Sequence, residues 1–301
     1  MHRYVEILLP ESSQLLAVWT TRQLWFDGLI NGMVFGLLAL GIVLIYRSTR
    51  VINLAVGNMG LPAVGLMALM VINYDFPYWV ALPIALLVGT LVGSIIELAV
   101  IRRLFNAPRV IVLVATIGIA QLMQAILAAY PDIESKRGVR FPVPISGKWN
   151  DVFGLRITGP KLTILIVVPL LTIALSWFLN KTIFGQTVQA SANNADLAKL
   201  SGIKPKVVSL FVWTVAGALS SVSLLLLSGS RGSLTGITNL GPNTMTRALA
   251  AAVIAGMSSF PRALIAGITI GVAQAHIQFI FLDQVGLIDF ILFLVVAIAV
   301  A

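Results

Sequence analysis

The chain has 301 residues, of which 58% are hydrophobic and only 10% are charged, and its mean hydropathy is +0.99. So large an apolar fraction cannot be buried in a water-soluble core of this size, which excludes a soluble enzyme or binding module. The formal net charge of +9 comes from basic residues in short loops with few aromatic neighbours, a pattern typical of membrane topology and not of nucleic-acid binding.

The apolar runs predict an all-α polytopic membrane protein with eight to nine transmembrane segments. Residues 1–27 mix charged residues with tryptophans and predict an interfacial N-terminal segment. Glycines and a proline interrupt the second segment and the seventh is short, so both can be broken or re-entrant and not simple spans. The predicted segments are 28–46, 51–72, 78–101, 110–130, 161–179, 207–228, 244–257, 263–282 and 287–301.

Two long polar loops separate these segments, at 131–160 and at 180–206. Basic residues in short, tight loops mark the cytoplasmic side of a membrane protein, which predicts that 180–206 is cytoplasmic and 131–160 extracytoplasmic. The last segment is still apolar at Ala301, so we expect the natural polypeptide to continue beyond it. The basic residues assigned to the cytoplasmic side are Arg47, Arg50, Arg102, Arg103, Arg109 and Arg262.

The polar stretch 184–208 predicts one short helix outside the membrane. Asn193 or Asn194 is expected to cap its start, because a side-chain oxygen there accepts an unpaired backbone N–H of the first turn. Asp196 suits the positive end of the helix dipole. Gly202 is expected to end the helix by adopting the left-handed conformation.

The face of this helix carries small apolar side chains. Leu197 and Leu200 are three residues apart and therefore lie on one side, with lysines around them. We expect an apolar knob that fits a groove in another protein. The alternative is a plain connector between two spans.

The second segment reads VINLAVGNMGLP and is a candidate for the solute pathway. Glycine and proline leave backbone N–H and C=O groups without their helical hydrogen bonds. At membrane depth such groups are tolerated only where they are buried in protein or line a water-filled cavity. Asn53, Gly57, Asn58 and Gly60 are therefore expected to contact a polar solute. The alternative is close helix packing, with asparagine hydrogen bonds across helices. Packing alone is expected of Gly89, Gly93, Ser94, Gly256, Gly267 and Gly271.

Ionisable residues inside the predicted spans are few, and they are the candidates for coupling to an ion gradient. Glu97 is interpreted as a partner of the nearby arginines 102 and 103, and His276 as a neutral histidine hydrogen-bonded between helices. Arg247 faces either a cavity or the membrane interface. The sequence contains no phosphate-binding loop and no metal-binding cluster, so we expect no cofactor and no nucleotide hydrolysis by this chain.

Four stretches, at 28–60, 97–124, 184–220 and 246–275, resemble the permease subunits of ABC importers for branched-chain amino acids, a group that also contains urea, amide and some sugar permeases. They cover most of the chain in the order of that family. The stretch 185–203 resembles the cytoplasmic coupling loop of the family. The matching positions are Gly185, Ala190, Asn193, Asn194, Leu200, Gly202 and Ile203.

The resemblance implies a permease domain over 28–301 in the bacterial plasma (inner) membrane, whose short helix docks on a separate ATP-hydrolysing subunit. It further implies a second permease subunit or fused half, and an extracytoplasmic solute-binding protein. The solute is expected to be a branched-chain amino acid or a related amide or urea. Many amino acid permeases of this type read N-F-A-H-G-E where this chain has Asn53 to Asn58 as N-L-A-V-G-N, so the amino acid assignment does not rest on those side chains.

The sequence leaves three alternatives to this function. The first is a sugar permease of the same superfamily. The second is an ion-coupled secondary transporter that uses Glu97 and His276. The third is a membrane scaffold that transports nothing.

Overall fold

The structure is a computed structural model, and it describes residues 22–105, 107–130, 140–152, 155–193, 195–234, 236–281, 286–287, 289–292 and 294. Within these ranges the regular elements are helices and one two-stranded hairpin. Seven helical segments are long and apolar enough to cross a membrane. The predicted all-α polytopic class is confirmed, whereas the predicted count of eight to nine spans is not reached by the described residues.

The elements follow one another in chain order, and the longest connection, residues 129–147, lies between the helix that ends at Ala128 and the first strand. Two π-helical turns, Leu69–Asn73 and Glu97–Ile101, extend the helices that end at Ala68 and Ile96. The bounds are α1 Arg22–Thr49, α2 Val56–Met59, α3 Leu61–Ala68, α4 Tyr78–Ile96, α5 Arg109–Ala128, β1 Lys148–Val152, β2 Leu155–Thr158, α6 Gly159–Lys181, α7 Ile183–Asn193, α8 Ala195–Leu200, α9 Pro205–Arg231, α10 Leu240–Ile254 and α11 Phe260–Ile280.

Helix α1 is the centre of the bundle. In its most apolar stretch 89% of the residues are buried inside the protein, against 33% or less in α4, α5, α6 and α11. A helix that is apolar on all sides is stable either inside a protein or in the bilayer, and the burial of α1 places it inside the protein. The less buried helices present apolar side chains outward, as membrane-exposed helices do.

A seam of small residues joins α1 to α11. A methyl group placed at Gly32 would lie 2.6 Å from the Ile268 Cα, and one placed at Gly271 would lie 2.3 Å from the Gly32 Cα. The two backbones therefore touch directly, which only glycine permits. The predicted packing role of Gly267 and Gly271 is confirmed.

A second seam joins α4 to α9. A methyl group at Gly93 would lie 2.2 Å from the Trp213 carbonyl oxygen, and one at Gly89 would overlap the Ser221 hydroxyl. The Ser94 and Thr214 hydroxyls are 2.7 Å apart across the same seam. The predicted packing roles of Gly89, Gly93 and Ser94 are confirmed.

The predicted seventh segment, 244–257, is wrong at both ends. Helix α10 begins at Leu240 and ends at Ile254, and its 15 residues are too few to cross a bilayer as a straight span. Gly256 has a φ of +64° and belongs to the turn after α10, where the Met257 N–H donates to the Ala252 carbonyl at 2.8 Å. The prediction that Gly256 is part of a packing face is therefore wrong.

Other boundaries differ as well. Helix α1 begins at Arg22, inside the predicted interfacial segment 1–27, of which residues 1–21 lie outside the described residues. The second segment becomes helical only at Val56. The predicted loop 131–160 contains the unpredicted antiparallel pair β1–β2. Most of the predicted ninth segment, 287–301, lies outside the described residues.

The bundle has two distinct ends. The basic end carries Arg50, Arg102, Arg103, Arg109 and Lys206 around the ends of α1, α4, α5 and α9. The hairpin end carries β1–β2, where the Arg156 backbone N–H donates to the Gln23 side chain of α1 at 2.8 Å.

Candidate functional site

A helical projection, made of α7 and α8, lies at the basic end. The sequence predicted one short helix there, and the structure shows helix over Ala195–Leu200 (α8) and also over Ile183–Asn193 (α7), a helical stretch that the sequence analysis missed. Asn193 is the last residue of α7, and its side-chain oxygen accepts a hydrogen bond from the Arg50 guanidinium at 3.2 Å. It therefore does not act as the predicted cap. Asn194 and the side chain of Asp196 lie outside the described residues.

The tip of the projection is α8, and its outward face is apolar. Leu197 is 61% exposed and Leu200 is 85% exposed, whereas Ala198 between them is buried. Gly202 has a φ of +80°, and the Ile203 N–H donates to the Ala198 carbonyl at 2.9 Å, as in the predicted glycine stop. The predicted apolar knob is therefore present, and its flanking lysines 199, 204 and 206 are also exposed.

Helix α7 fixes this tip to the bundle. A methyl group at Gly185 would lie 2.3 Å from the Leu179 carbonyl oxygen, so α7 crosses the end of α6 in direct backbone contact. The Gln189 amide donates to the same carbonyl at 3.1 Å. The rings of Phe184 and Phe211 meet edge to face at 4.7 Å, which joins α7 to α9. Ala190, in contrast, is exposed on the far side of α7.

The sequence did not indicate these anchoring residues. Phe184 and Phe211 are 27 positions apart and resemble any other apolar residue at the end of a span. From the sequence, Arg50 indicates only which side of the membrane it lies on. In the structure it has a φ of +56°, and its guanidinium donates a hydrogen bond to the Asn193 side chain. A positive φ and a contact between distant segments are features of the folded chain alone.

The second span is broken, as predicted. Asn53 precedes it and is fully buried, and its side-chain oxygen accepts the Ala55 N–H at 2.8 Å. The Asn58 amide donates to the Ala120 carbonyl of α5 at 2.9 Å. The Asn58 oxygen has no hydrogen-bond partner among the described residues although it is buried.

The break itself lies at Gly60, between α2 and α3. A methyl group at Gly57 would lie 2.6 Å from the Met245 Cβ, and one at Gly60 would lie 2.6 Å from the Ser220 carbonyl oxygen. The Ser220 hydroxyl bonds the Gly60 N–H at 2.8 Å and also donates to the Val56 carbonyl. In this conformation Asn58, Gly60 and Gly57 are packed against α5, α9 and α10, respectively, and Asn53 is buried against its own segment, which is the packing alternative.

Glu97 is fully buried at the start of the π-helical turn after α4. A π turn brings residues five positions apart together, and the Arg102 N–H donates to the Glu97 carbonyl at 2.8 Å. The Arg102 guanidinium lies 3.5 Å from the Glu97 carboxylate. The interpretation of Glu97 as half of a helix-end ion pair therefore holds for Arg102.

His276 is buried on α11, and its Nδ1 lies 2.9 Å from the Val272 carbonyl oxygen of its own helix. Its ring meets Trp25 of α1 edge to face at 4.7 Å. Arg247 of α10 is buried as well, and its guanidinium lies 3.3 Å from the Asp289 carboxylate. Arg247 therefore does not extend to the membrane interface, and among the described residues it is buried inside the bundle.

Among the described residues, seven apolar spans, one of which is the buried central helix α1, define a multi-pass helical membrane protein. Residues 24–300 match the family model described as "Branched-chain amino acid transport system / permease component". The chain belongs to this family, so the resemblance stated from the sequence is confirmed.

Several curated relatives are similar over most of their length. The high-affinity branched-chain amino acid transport system permease protein LivH of Salmonella typhimurium is 29% identical over 268 residues, 84% of either chain. A probable branched-chain amino acid transport permease protein LivH of Methanocaldococcus jannaschii is 30% identical over 81% of this chain and 76% of the relative. The ribose import permease protein RbsC of Haemophilus influenzae is 28% identical over 75% of this chain and 64% of the relative. No solved structure matches this chain.

Proposed function

We propose that this chain is the transmembrane permease subunit of an ATP-driven importer in the bacterial plasma (inner) membrane, and that the solute is a branched-chain amino acid or a related amide or urea. The family and the branched-chain amino acid relatives support this assignment. In this proposal ATP hydrolysis belongs to separate cytoplasmic subunits. A second permease subunit or fused half, and an extracytoplasmic solute-binding protein, complete the importer.

The observation that carries the proposal is the exposed apolar tip of α8. Leu197 and Leu200 are exposed beside three lysines at the basic end, which the charge distribution favours as the cytoplasmic side. Two exposed leucines on a helix that ends in a glycine stop are typical of a docking element for a hydrophobic groove. The lysines complement an acidic rim around that groove.

The anchoring of α7 explains how docking moves the membrane segments. Because α7 is in backbone contact with the end of α6 and in ring contact with Phe211 of α9, a displacement of the tip is transmitted to both spans. Helix α9 in turn holds the break in the second span through Ser220. We infer that Asn53, Gly57, Asn58 and Gly60 form a wall of the solute path that opens when α9 shifts.

The second candidate is a sugar permease of the same superfamily. The similarity to the ribose import permease protein favours it, and the replacement of the N-F-A-H-G-E pattern in the second span agrees with a different solute. Uptake of radiolabelled leucine and ribose by cells that express the full importer distinguishes the two.

The test of docking is co-purification of the full-length protein from its native membranes in a mild detergent. We expect an ATP-hydrolysing subunit to co-purify with the wild type and to be lost from Leu200→Asp. Ile183→Asp is the matched control, because Ile183 is 84% exposed at the other end of α7. Retention of the ATPase and of normal uptake by Leu200→Asp would overturn the docking role.

A further inference from the structure

A small cavity opens at the basic end, between the π-helical turn that follows α4 and the start of α9. Its volume is about 300 Å³, which is the size of a small-molecule site. We call it the α4–α9 cavity. Four of its six lining residues are basic, and the six are Arg102, Arg103, Phe105, Lys199, Pro205 and Lys206.

The carboxylates that the structure describes neutralise only part of this positive charge. The Glu97 carboxylate is fully buried and lies 3.5 Å from the Arg102 guanidinium. Arg103 and Lys206 have no carboxylate within ion-pair distance among the residues that the structure describes. The sequence itself has no acidic residue at 98–131 or at 197–282, so the two segments that form the cavity supply none from either side.

Lys199 differs from the other three basic residues. Asp196 lies three positions before it in the sequence, and the side chain of Asp196 lies outside the described residues. The charges that concern us here are therefore those of Arg102, Arg103 and Lys206.

These three side chains offer many N–H donors to one anion. A guanidinium presents five donors in a planar fork that matches the oxygens of a phosphate group. The Arg102 Nε is buried and has no acceptor among the described residues, so the contact with Glu97 does not use all the donors of Arg102. Arg103 and Lys206 are exposed at the same cavity. An anion with several oxygens, such as a phosphodiester, suits this set of donors.

The α4–α9 cavity also adjoins the membrane-facing surface of the bundle. The two segments touch where a methyl group at Gly93 would lie 2.2 Å from the Trp213 carbonyl oxygen. Leu98 and Val207 lie, in sequence, between this contact and the cavity residues of their own segments, and they are 45% and 51% exposed. Exposed apolar side chains on membrane-spanning helices contact acyl chains. A ligand in this position meets cations on one side and hydrocarbon on the other.

We propose that the α4–α9 cavity binds the phosphodiester headgroup of an anionic phospholipid. Arg102, Arg103 and Lys206 bind the phosphate oxygens, and the acyl chains lie along Leu98 and Val207. Basic pockets between helices on the cytoplasmic side of a membrane protein recognise acidic headgroups in this way. This inference goes beyond the proposed import function and does not depend on the identity of the solute.

The test is native mass spectrometry of the full-length protein, purified from its membranes in a mild detergent together with its partner subunits. The protein is titrated with phosphatidylglycerol and, separately, with phosphatidylcholine that has the same acyl chains. Both lipids carry a phosphate, but only phosphatidylglycerol has a net negative charge. We expect phosphatidylglycerol to bind about tenfold more tightly or better, because the basic side chains favour its net charge.

Variants of the exposed basic residues locate the site. Arg103→Gln and Lys206→Gln are each expected to weaken phosphatidylglycerol binding about fivefold, and the double variant about 30-fold. The single variants serve alone if the double variant does not elute as a single species. Arg262→Gln is the matched control. Arg262 is an exposed arginine in the first turn of α11, whose Phe260 lies under the Arg47 guanidinium at the end of α1, and it does not line the cavity. We expect this variant to bind the lipid as the wild type does.

Three results would overturn the lipid site. The first is equal affinity for the two lipids, or wild-type affinity for phosphatidylglycerol in the double variant. The second is displacement of the lipid by an excess of inorganic phosphate or glycerophosphate, which would identify a site for a soluble phosphate group. The third is loss of an ATP-hydrolysing subunit from the double variant while lipid binding stays unchanged, which would assign these cations to a protein contact.

Discussion

The Ser220 hydroxyl of α9 accepts a hydrogen bond from the Gly60 N–H at 2.8 Å. A neighbouring helix therefore supplies the partner for a backbone group at the break in the second span. The same hydroxyl donates to the Val56 carbonyl on the other side of the break. Unpaired backbone groups are costly at membrane depth, so a broken span needs such an outside partner. The second span is thereby bound to α9, the helix that directly follows the α7–α8 projection.

The first prediction concerns this bridge. Ser220→Ala leaves the Gly60 N–H and the Val56 carbonyl buried without their partner, so we expect a loss of about 1–3 kcal/mol in the free energy of unfolding. The measurement is tryptophan fluorescence during heating of the detergent-solubilised protein. Ser228→Ala is the control, because Ser228 is equally buried but bonds only the Leu224 carbonyl of its own helix. Equal melting temperatures for the two variants would contradict the bridging role.

The second prediction concerns the seam between α1 and α11. Gly32→Ala places a methyl group 2.6 Å from the Ile268 Cα, which forces the central helix away from its neighbour. We expect a destabilisation of about 1–3 kcal/mol and a reduced yield of monodisperse protein. In Gly118→Ala the new methyl group meets nothing within 4 Å, so size-exclusion chromatography should show a wild-type profile. A poor yield from both variants would argue against a specific seam.

The third prediction separates the importer from an ion-coupled transporter. Glu97→Gln removes a fully buried carboxylate that already pairs with Arg102, so we expect ATP-driven leucine uptake to stay within about twofold of the wild type. Arg102→Gln leaves the buried carboxylate without its cation, and the melting temperature should fall, with a loss of about 1–3 kcal/mol. Uptake that disappears in Glu97→Gln while the protein stays folded would favour proton coupling.

The fourth prediction concerns the stop of α8. Gly202 has a φ of +80°, and a Cβ added there would meet nothing within 4 Å, so Gly202→Ala changes only the backbone preference, at a cost of about 1 kcal/mol. In the Gly202→Ala variant we expect faster hydrogen exchange at the backbone amides of position 202 and Ile203, and weaker retention of the ATPase subunit. Gly202→Asn tolerates the left-handed conformation better and should lie between. Unchanged exchange in the alanine variant would show that the stop does not depend on glycine.

Much of the helical plan could be predicted from the sequence. The third span, predicted as 78–101, is found as Tyr78–Ile101, and Gly202 ends its helix as expected. These predictions rest on local properties, namely the length of an apolar run and the conformational freedom of one glycine. Packing roles for Gly89, Gly93, Gly267 and Gly271 were also predicted, since close helix contact in membranes needs small residues.

The sequence-based predictions were wrong or incomplete where contacts with distant residues determine the local structure. Helix α7 was missed because its polar sequence resembles a loop until Gly185 meets Leu179 and Phe184 meets Phe211. Gly256 was assigned to a packing face, but it lies in a turn with positive φ. Ser220 drew no attention, because nothing in its local sequence distinguishes it from the other serines of α9.

The sequence by itself determined the membrane class, most of the spans, the exposed apolar tip and the family. Each of these depends on composition, on short-range pattern or on similarity along the chain, so no knowledge of contacts is needed. Only the tertiary structure decided that Asn53, Gly57, Asn58 and Gly60 are packed, and that Arg102, Arg103 and Lys206 meet at one cavity. Helix packing brings together groups that are about 100 and more positions apart, and a hydrogen bond or a cavity exists only once the backbones are in place.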